Sequence, residues 1–349
     1  MKAYVLKGIG DLKLEEAPTP ILEKNEVLVK VKAVGICGSD IPRIYKTGAH
    51  RHPLIPGHEF SGIVTSVNET ENEEWIGKRV GIFPLIPCHE CLPCKNLHFE
   101  MCRNYSYLGS RRDGAFAEYI AVPVNNLIEL PENVSFEVAA MLEPMSVAIH
   151  AIRRLNDIKA SDTIAVCGLG TIGSLMALFL KSLGFSNLLL IGNKDIQYVN
   201  AKKMGIDIDK FCDTRKQDVN SWIMEQTNGY GVNYFFECVG KNESINYAID
   251  NTSALGNIVL IGNPYSDMKF DKTTYWKILR NQLTINGSWN SSFIHDDTDD
   301  WHFVLNHLNK NGIDASFLIS HMLPFDLLEK GLSIMLNKSE EYCKIMLKL

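Results

Sequence analysis

The sequence predicts an α/β protein in two parts: a doubly wound parallel sheet inserted into a second, β-rich domain. Three observations carry this. The first 145 residues read as short strands broken by Gly and Pro, the clearest at 27–34, 60–67 and 79–83. After Glu143-Pro144 the texture changes: apolar strands at 163–167, 188–191, 232–236 and 257–261 alternate with helical stretches, of which 171–183 is the first. From about residue 291 the chain returns to mixed helix and strand, so residues 1–147 and 291–349 are assigned to one domain and 148–290 to the other. The length of 349 residues agrees, since single cores stop growing at roughly 250–300 residues. A strand at 283–289 closes the parallel sheet and offers an edge, and the acidic run 296–300 is read as a helix N-terminal cap within a solvated loop.

Composition narrows the function classes. The chain is 46% hydrophobic and 22% charged, ordinary for a globular protein. A net charge of −6 argues against a general nucleic-acid binder or a membrane-surface protein. The N-terminal residues lack the apolar core of a signal peptide, and no apolar run approaches the roughly 18 residues of a membrane span, so a cytoplasmic location is expected. Nine cysteines, an odd number with four in one cluster, fit metal binding better than a disulfide framework.

The strongest local signal is Gly168-Leu-Gly170-Thr171-Ile172-Gly173, which follows a predicted strand and opens a predicted helix. Gly168 permits the tight turn, Gly170 lets the backbone approach a pyrophosphate, and Gly173 allows the helix to pack closely. The phosphates would sit on the helix N-terminus near Thr171 and Ile172. At the end of the next strand, where an NAD site presents an acid to the ribose, the chain has Gly192-Asn193-Lys194. Gly192 removes repulsion against a 2′-phosphate and Lys194 is placed to pair with one, which leans towards NADP. The other reading is that Asp195 swings in and NAD is preferred.

Two metal sites are legible. Cys88, Cys91, Cys94 and Cys102 have the spacing of an all-thiolate structural zinc. An iron-sulfur cluster and a nucleic-acid-binding zinc module are the alternatives, the latter disfavoured by the few basic residues nearby. Cys37, His58 and Glu59 offer a thiolate, an imidazole and a carboxylate, a mixed set that points to an open catalytic zinc; the bland alternative is a pair of buried core residues.

These pieces, in this order, resemble the zinc-dependent medium-chain dehydrogenases along essentially the whole chain, particularly their polyol branch. The resemblance is carried by Cys-Gly-Ser-Asp at 37–40 followed by Pro42-Arg43-Ile44, by Gly48-Ala49-His50, by Gly-His-Glu-Phe-Ser-Gly at 57–62, and by Gly-Ser-Arg-Arg-Asp-Gly at 109–114. It implies a GroES-like catalytic domain interrupted by a Rossmann cofactor domain, two zinc ions per chain, NAD(P), and a homodimer or homotetramer. It further implies oxidation of a sugar-alcohol phosphate such as galactitol 1-phosphate to a ketose phosphate. By position, Cys37, His58 and Glu59 match the catalytic zinc ligands and Glu143 a further ligand or near-ligand. Ser39 matches the proton-relay hydroxyl, and Asp40 an orienting partner of His58 or the local backbone. Where many relatives place a His three residues beyond that hydroxyl, this chain has Pro42. Arg43, Arg111 and Arg112 are the candidates for gripping a phosphate, with Lys46 and His50 behind them; ordinary salt bridges are the alternative for each. The zinc and cofactor motifs do not choose among secondary alcohols, so free sorbitol, butanediol or threonine are rival substrates. A noncatalytic zinc-stabilised binding protein is a third reading, which the intact motifs oppose.

Overall fold

The computed structural model describes residues 1–155, 157–264, 266–310 and 312–349. The chain forms two compact units, Met1–Ser146 with Ser291–Leu349, and Val147–Asn290.

In the first unit the chain begins with the hairpin of β1 (Lys2–Gly8) and β2 (Asp11–Glu16) and then enters β3 (Glu26–Ile36). A short helix, Asp40–Tyr45, and a loop lead to β4 (Glu59–Val67) and β5 (Arg79–Ile82). Two-residue strands β6 (Leu85–Ile86) and β7 (Ser106–Tyr107) bracket the four-cysteine segment, and β8 (Tyr119–Pro123) and β9 (Leu127–Glu129) return to the main sheet. Alternating Val27, Val29 and Val31 of β3, and Val34 beyond a register shift, are buried with Phe60, Val80, Phe116 and Ile345 in one apolar core. The period-2 pattern is what fixes the face each residue takes.

The second unit contains β10 (Ile164–Cys167), β11 (Leu188–Gly192), β12 (Phe211–Asp213), β13 (Val232–Glu237), β14 (Thr252–Leu260) and β15 (Thr284–Gly287). Their spatial order is β12-β11-β10-β13-β14-β15, all parallel. That order is the doubly wound arrangement, in which the strand sequence reverses between β10 and β13 and ligands bind beyond the carboxyl ends. Strand β14 begins five residues earlier than its apolar pattern indicated, because a register shift against β13 carries Thr252 into pairing with Val232.

The chain then returns to the first unit, where β16 (Ile319–Pro324) and β17 (Lys344–Lys348) complete a seven-stranded sheet with β17 antiparallel to β3. The acidic run departs from expectation only in its last two residues. Asp299 does cap the helix Asp300–Lys310 by accepting from the His302 amide at 2.8 Å, but Asp299 and Asp300 are 1% and 2% exposed. Neither is a solvated loop residue. Backbone amides of Ile294 and Ser292 donate to the two carboxylates, which is what lets them be buried. Among the described residues no helix is long and apolar enough to cross a membrane.

The glycine motif supplies a direct test. Gly168 has φ +92°, the left-handed region that disfavours a side chain, and a Cβ on Gly173 would run into the Gly168 carbonyl oxygen. A Cβ on Gly170 would meet nothing within 4 Å. Gly173→Ala is therefore expected to destabilise the protein by ~1–3 kcal/mol, the usual range for overpacking. Gly170→Ala is expected to leave urea unfolding unchanged while weakening dinucleotide binding. Similar unfolding losses in both variants would contradict this division of roles.

Candidate active site

Strand register assembles the first metal-ligand group. Because β3 and β4 are antiparallel with Gly35 opposite Glu59, the end of β3 and the start of β4 meet. Cys37, just past β3, then faces His58 and Glu59, just before and at the start of β4. One donor atom from each lies within 4.8 Å of the others. Strand β17 pairs Ile345 with Ile36, which delivers Lys344 to the same place. Its ammonium makes a short ion pair with Glu59 Oε2 and donates to the Ile36 carbonyl at 3.1 Å. A Cβ at Gly35 would meet Glu59 Oε2 at 2.6 Å and Lys344 Cε at 2.7 Å, so a side chain there would force this pair to shift.

The loop after Cys37 is held by its own polar groups. Asp40 is fully buried, accepts from the Cys37 amide at 3.0 Å and from Arg43 Nη1 at 2.6 Å, and stands 3.6 Å from His58 Nδ1. It thus fixes the backbone of the ligand loop. Ser39 precedes the helix Asp40–Tyr45 but its side chain makes no capping bond; its Oγ lies 3.3 Å from Cys37 Sγ.

Glu143, in the first turn of the helix Leu142–Arg153, is buried beside this group but is not one of the three that converge. Tyr107 donates its hydroxyl to Glu143 Oε1 at 3.1 Å and sets its ring edge against His58 at 5.7 Å between centroids. Electrostatics show what the cluster lacks. Burial, then the charges of Glu59 and Asp40, push the Cys37 thiol far above its ordinary value. Burial and Glu59 push Glu143 up to about 7. Burial alone would lower the Lys344 ammonium, but Glu59 and Cys37 outweigh it and raise it. A thiolate among carboxylates is favourable only with added positive charge, so a divalent zinc fits this donor set.

The four-cysteine segment closes on itself. Sγ separations are 4.0 Å for Cys88–Cys94, 3.4 Å for Cys91–Cys94 and 3.9 Å for Cys91–Cys102. Zinc–thiolate bonds of about 2.3 Å in a tetrahedron require edges of about 3.8 Å. Backbone amides of Arg103 and Cys94 lower the Cys91 thiol to about 6, whereas burial pushes Cys94 up to about 12.

In the second unit, Gly168 and Gly170 form the turn between β10 and the helix Thr171–Ser182, which presents Thr171 and Ile172 in its first turn. The open space beside Gly170 suits a pyrophosphate. At the end of β11, Gln197 Oε1 accepts from the amides of Asn193 and Lys194 at 2.8 and 3.1 Å and fills the space beside Gly192. Asp195 is held by Arg215, whose guanidinium also grips Asp213.

The three candidate arginines fare differently. Arg112 is committed to an ion pair with buried Glu26. Arg43 pairs with Asp40, one residue group from Cys37. Arg111 lies over the Tyr105 ring at 4.6 Å. Sequence reasoning missed Lys344, Tyr107 and Arg215, since none sits in a recognisable motif. Replacing Lys344 leaves Glu59 buried and unpaired, so Lys344→Met is expected to cost zinc-free protein about 3–5 kcal/mol in urea unfolding. The loss should be smaller with zinc bound. A loss under about 1 kcal/mol in both states would contradict the importance of the pair.

Comparison with known proteins follows the same division. Residues 23–132 match the alcohol dehydrogenase GroES-like domain family and residues 171–310 the zinc-binding dehydrogenase family. Galactitol 1-phosphate 5-dehydrogenase from Escherichia coli K12 is 31% identical over 93% of this chain and 94% of its own. L-threonine 3-dehydrogenase from Bacillus subtilis is 31% identical over 96% and 95%. The crystal structure of galactitol-1-phosphate dehydrogenase from Escherichia coli superposes with a TM-score of 0.92 at 29% identity, covering all of both chains. The sheets described above are thus a GroES-like domain and a Rossmann domain, and the chain belongs to the zinc-binding alcohol and polyol dehydrogenases, oxidoreductases of small molecules that use zinc and NAD(P).

Proposed function

We propose that this protein oxidises a sugar-alcohol phosphate, with galactitol 1-phosphate as the substrate and a ketose phosphate as the product. The observation that carries this reading is the pair of guanidinium groups, Arg43 and Arg111, beside His50 in the catalytic domain. His50 is made harder to protonate first by burial and then by the charges of Arg111 and Arg43, so the three lie within electrostatic reach of one another. Arg43 is tied through Asp40 to the Cys37 backbone, which keeps this group near the metal ligands. Guanidinium groups so gathered suit a phosphate dianion.

In this reading Cys37, His58 and Glu59 hold a catalytic zinc, with Glu143 alongside, and Cys88, Cys91, Cys94 and Cys102 hold a second, structural one. When bound, zinc supplies Lewis acidity towards the substrate hydroxyl and the dinucleotide supplies the hydride acceptor. Ser39 takes the hydroxyl proton as hydride leaves the same carbon. Pro42 has no proton to pass on, so the path beyond Ser39 would run through water, a ribose or another side chain. Asp40 keeps the ligand loop in place. Gly168, Gly170, Thr171, Ile172 and Gly173 receive the pyrophosphate. Gly192, Asn193 and Lys194 receive the adenosine ribose, and NADP is favoured because no carboxylate stands at Gly192 and Asp195 is engaged by Arg215.

The protein is further read as a cytoplasmic homodimer or homotetramer. Edge strand β15 and the exposed Trp276, Leu279, Ile285 and Trp289 support pairing across a two-fold axis.

The test is a dehydrogenase assay of galactitol 1-phosphate, galactitol, sorbitol and threonine with NAD and NADP. We expect kcat/KM to favour the phosphorylated polyol by about a hundredfold, and Arg111→Ala to abolish that preference. Equal use of galactitol would defeat the phosphate reading, and a higher kcat/KM with NAD the NADP reading. Ser39→Ala should lower kcat by about a hundredfold with zinc content unchanged. Parallel loss of both would count against the relay.

A further inference from the structure

The last residues of β11 and β12 lie side by side, with Gly192 opposite Asp213, and the Thr214 amide donates to the Gly192 carbonyl at 2.9 Å. The turn so tied to β11 carries Arg215. Its backbone therefore stands at the carboxyl end of the parallel sheet beside Gly192, the place at which a doubly wound sheet receives the adenosine ribose of a dinucleotide.

A guanidinium offers an oxyanion two paired edges, Nε with Nη2 and Nη1 with Nη2. Asp213 takes the first. Its Oδ1 accepts from Nε at 2.8 Å and its Oδ2 from Nη2 at 2.7 Å, and Oδ1 also accepts from the Arg215 amide at 3.0 Å, which fixes the plane of the group. The second edge is half used: Nη2 donates to Asp195 Oδ1 at 2.6 Å, and Nη1 makes no hydrogen bond among the described residues. Exposure separates the two aspartates, since the Asp213 side chain is 11% exposed and that of Asp195 is 80%. A pair with so exposed a partner contributes little, so Asp195 yields to a stronger anion whereas Asp213 stays. The Asp195 carboxylate thus marks a position that suits an anion on an arginine already oriented to take it.

We propose that Arg215 is the specificity-determining residue at the adenosine end of the dinucleotide site, where the 2′-phosphate of NADP displaces Asp195 and is held on the Nη1 and Nη2 edge. Asp213 keeps the guanidinium in place while this happens. The proposal rests on the reading that the protein prefers NADP, and it carries the discrimination to a residue outside the run Gly192-Asn193-Lys194. The competing explanation is that Lys194 holds the phosphate and Arg215 only ties two aspartates together.

The test is calorimetric titration of the full-length protein with 2′,5′-ADP and with 5′-AMP, which differ only in the 2′-phosphate, so that the ratio of their dissociation constants reads this group without turnover. Wild type is expected to bind 2′,5′-ADP about thirtyfold more tightly than 5′-AMP. Arg215→Ala is expected to cut that preference about tenfold while 5′-AMP binds within about twofold of wild type. Asp195→Asn removes the competing carboxylate and should act in the opposite sense, tightening 2′,5′-ADP about threefold with 5′-AMP unchanged. A wild type that binds both ligands equally overturns the NADP reading and this proposal with it. A wild-type preference that survives Arg215→Ala overturns the proposal alone and leaves the phosphate to Lys194. Weaker 5′-AMP binding in Asp195→Asn would put that carboxylate on the ribose and overturn it as well. Should Arg215→Ala fail to fold, Asp195→Asn decides, since unchanged or weaker 2′,5′-ADP binding there overturns the proposal.

Discussion

The antiparallel register that sets Gly35 opposite Glu59 is the constraint on which the candidate catalytic site depends. A slip of one residue between β3 and β4 would turn Glu59 to the other face of the sheet and separate it from Cys37. The register is held on the other side by β17, whose pairing with β3 brings Lys344 to Glu59. The ion pair and the sheet reinforce each other, because the pair sits in the space left by Gly35 and that glycine lies on the strand both neighbours share.

Charge sets what this arrangement can do. Cys37, Glu59 and Glu143 place up to three negative groups in a buried space, against which Lys344 supplies one ammonium. Partial compensation leaves the group able to take a cation without being neutralised beforehand. The donor set also differs from that of the four-cysteine segment. There, four thiols at near-tetrahedral separations close a site completely, and backbone amides rather than lysine help to carry the charge. One chain thus gathers an all-thiol cluster and a mixed thiol, imidazole and carboxylate cluster by changing what accompanies the cysteine.

Much of this was legible in the sequence because its signals are local. The spacing of Cys88, Cys91, Cys94 and Cys102 is short enough for one loop to close. Gly168, Gly170 and Gly173 lie within a single turn, and the strand-helix alternation after residue 147 follows from apolar periodicity. Cys37 and His58-Glu59 were legible as candidates, since each sits at the end of a clear strand pattern. In the acidic run 296–300 the first three residues are exposed as expected, but Asp299 and Asp300 were misjudged as solvated because charge alone suggested exposure, whereas nearby amides of Ser292 and Ile294 satisfy Asp300 and Asp299 in a buried setting.

The sequence by itself therefore determined the two-part α/β architecture, the glycine turn and the spacing of the four cysteines, all features built from neighbours along the chain. Tertiary structure alone decided the rest: that Lys344 would meet Glu59 across 285 positions, that Tyr107 would engage Glu143, that Arg112 would be consumed by Glu26 while Arg111 was not, and that Asp195 would be held by Arg215. Each of those pairings depends on strand register and loop placement between distant segments, and side chains carry no mark of a partner until the backbone has brought the two together.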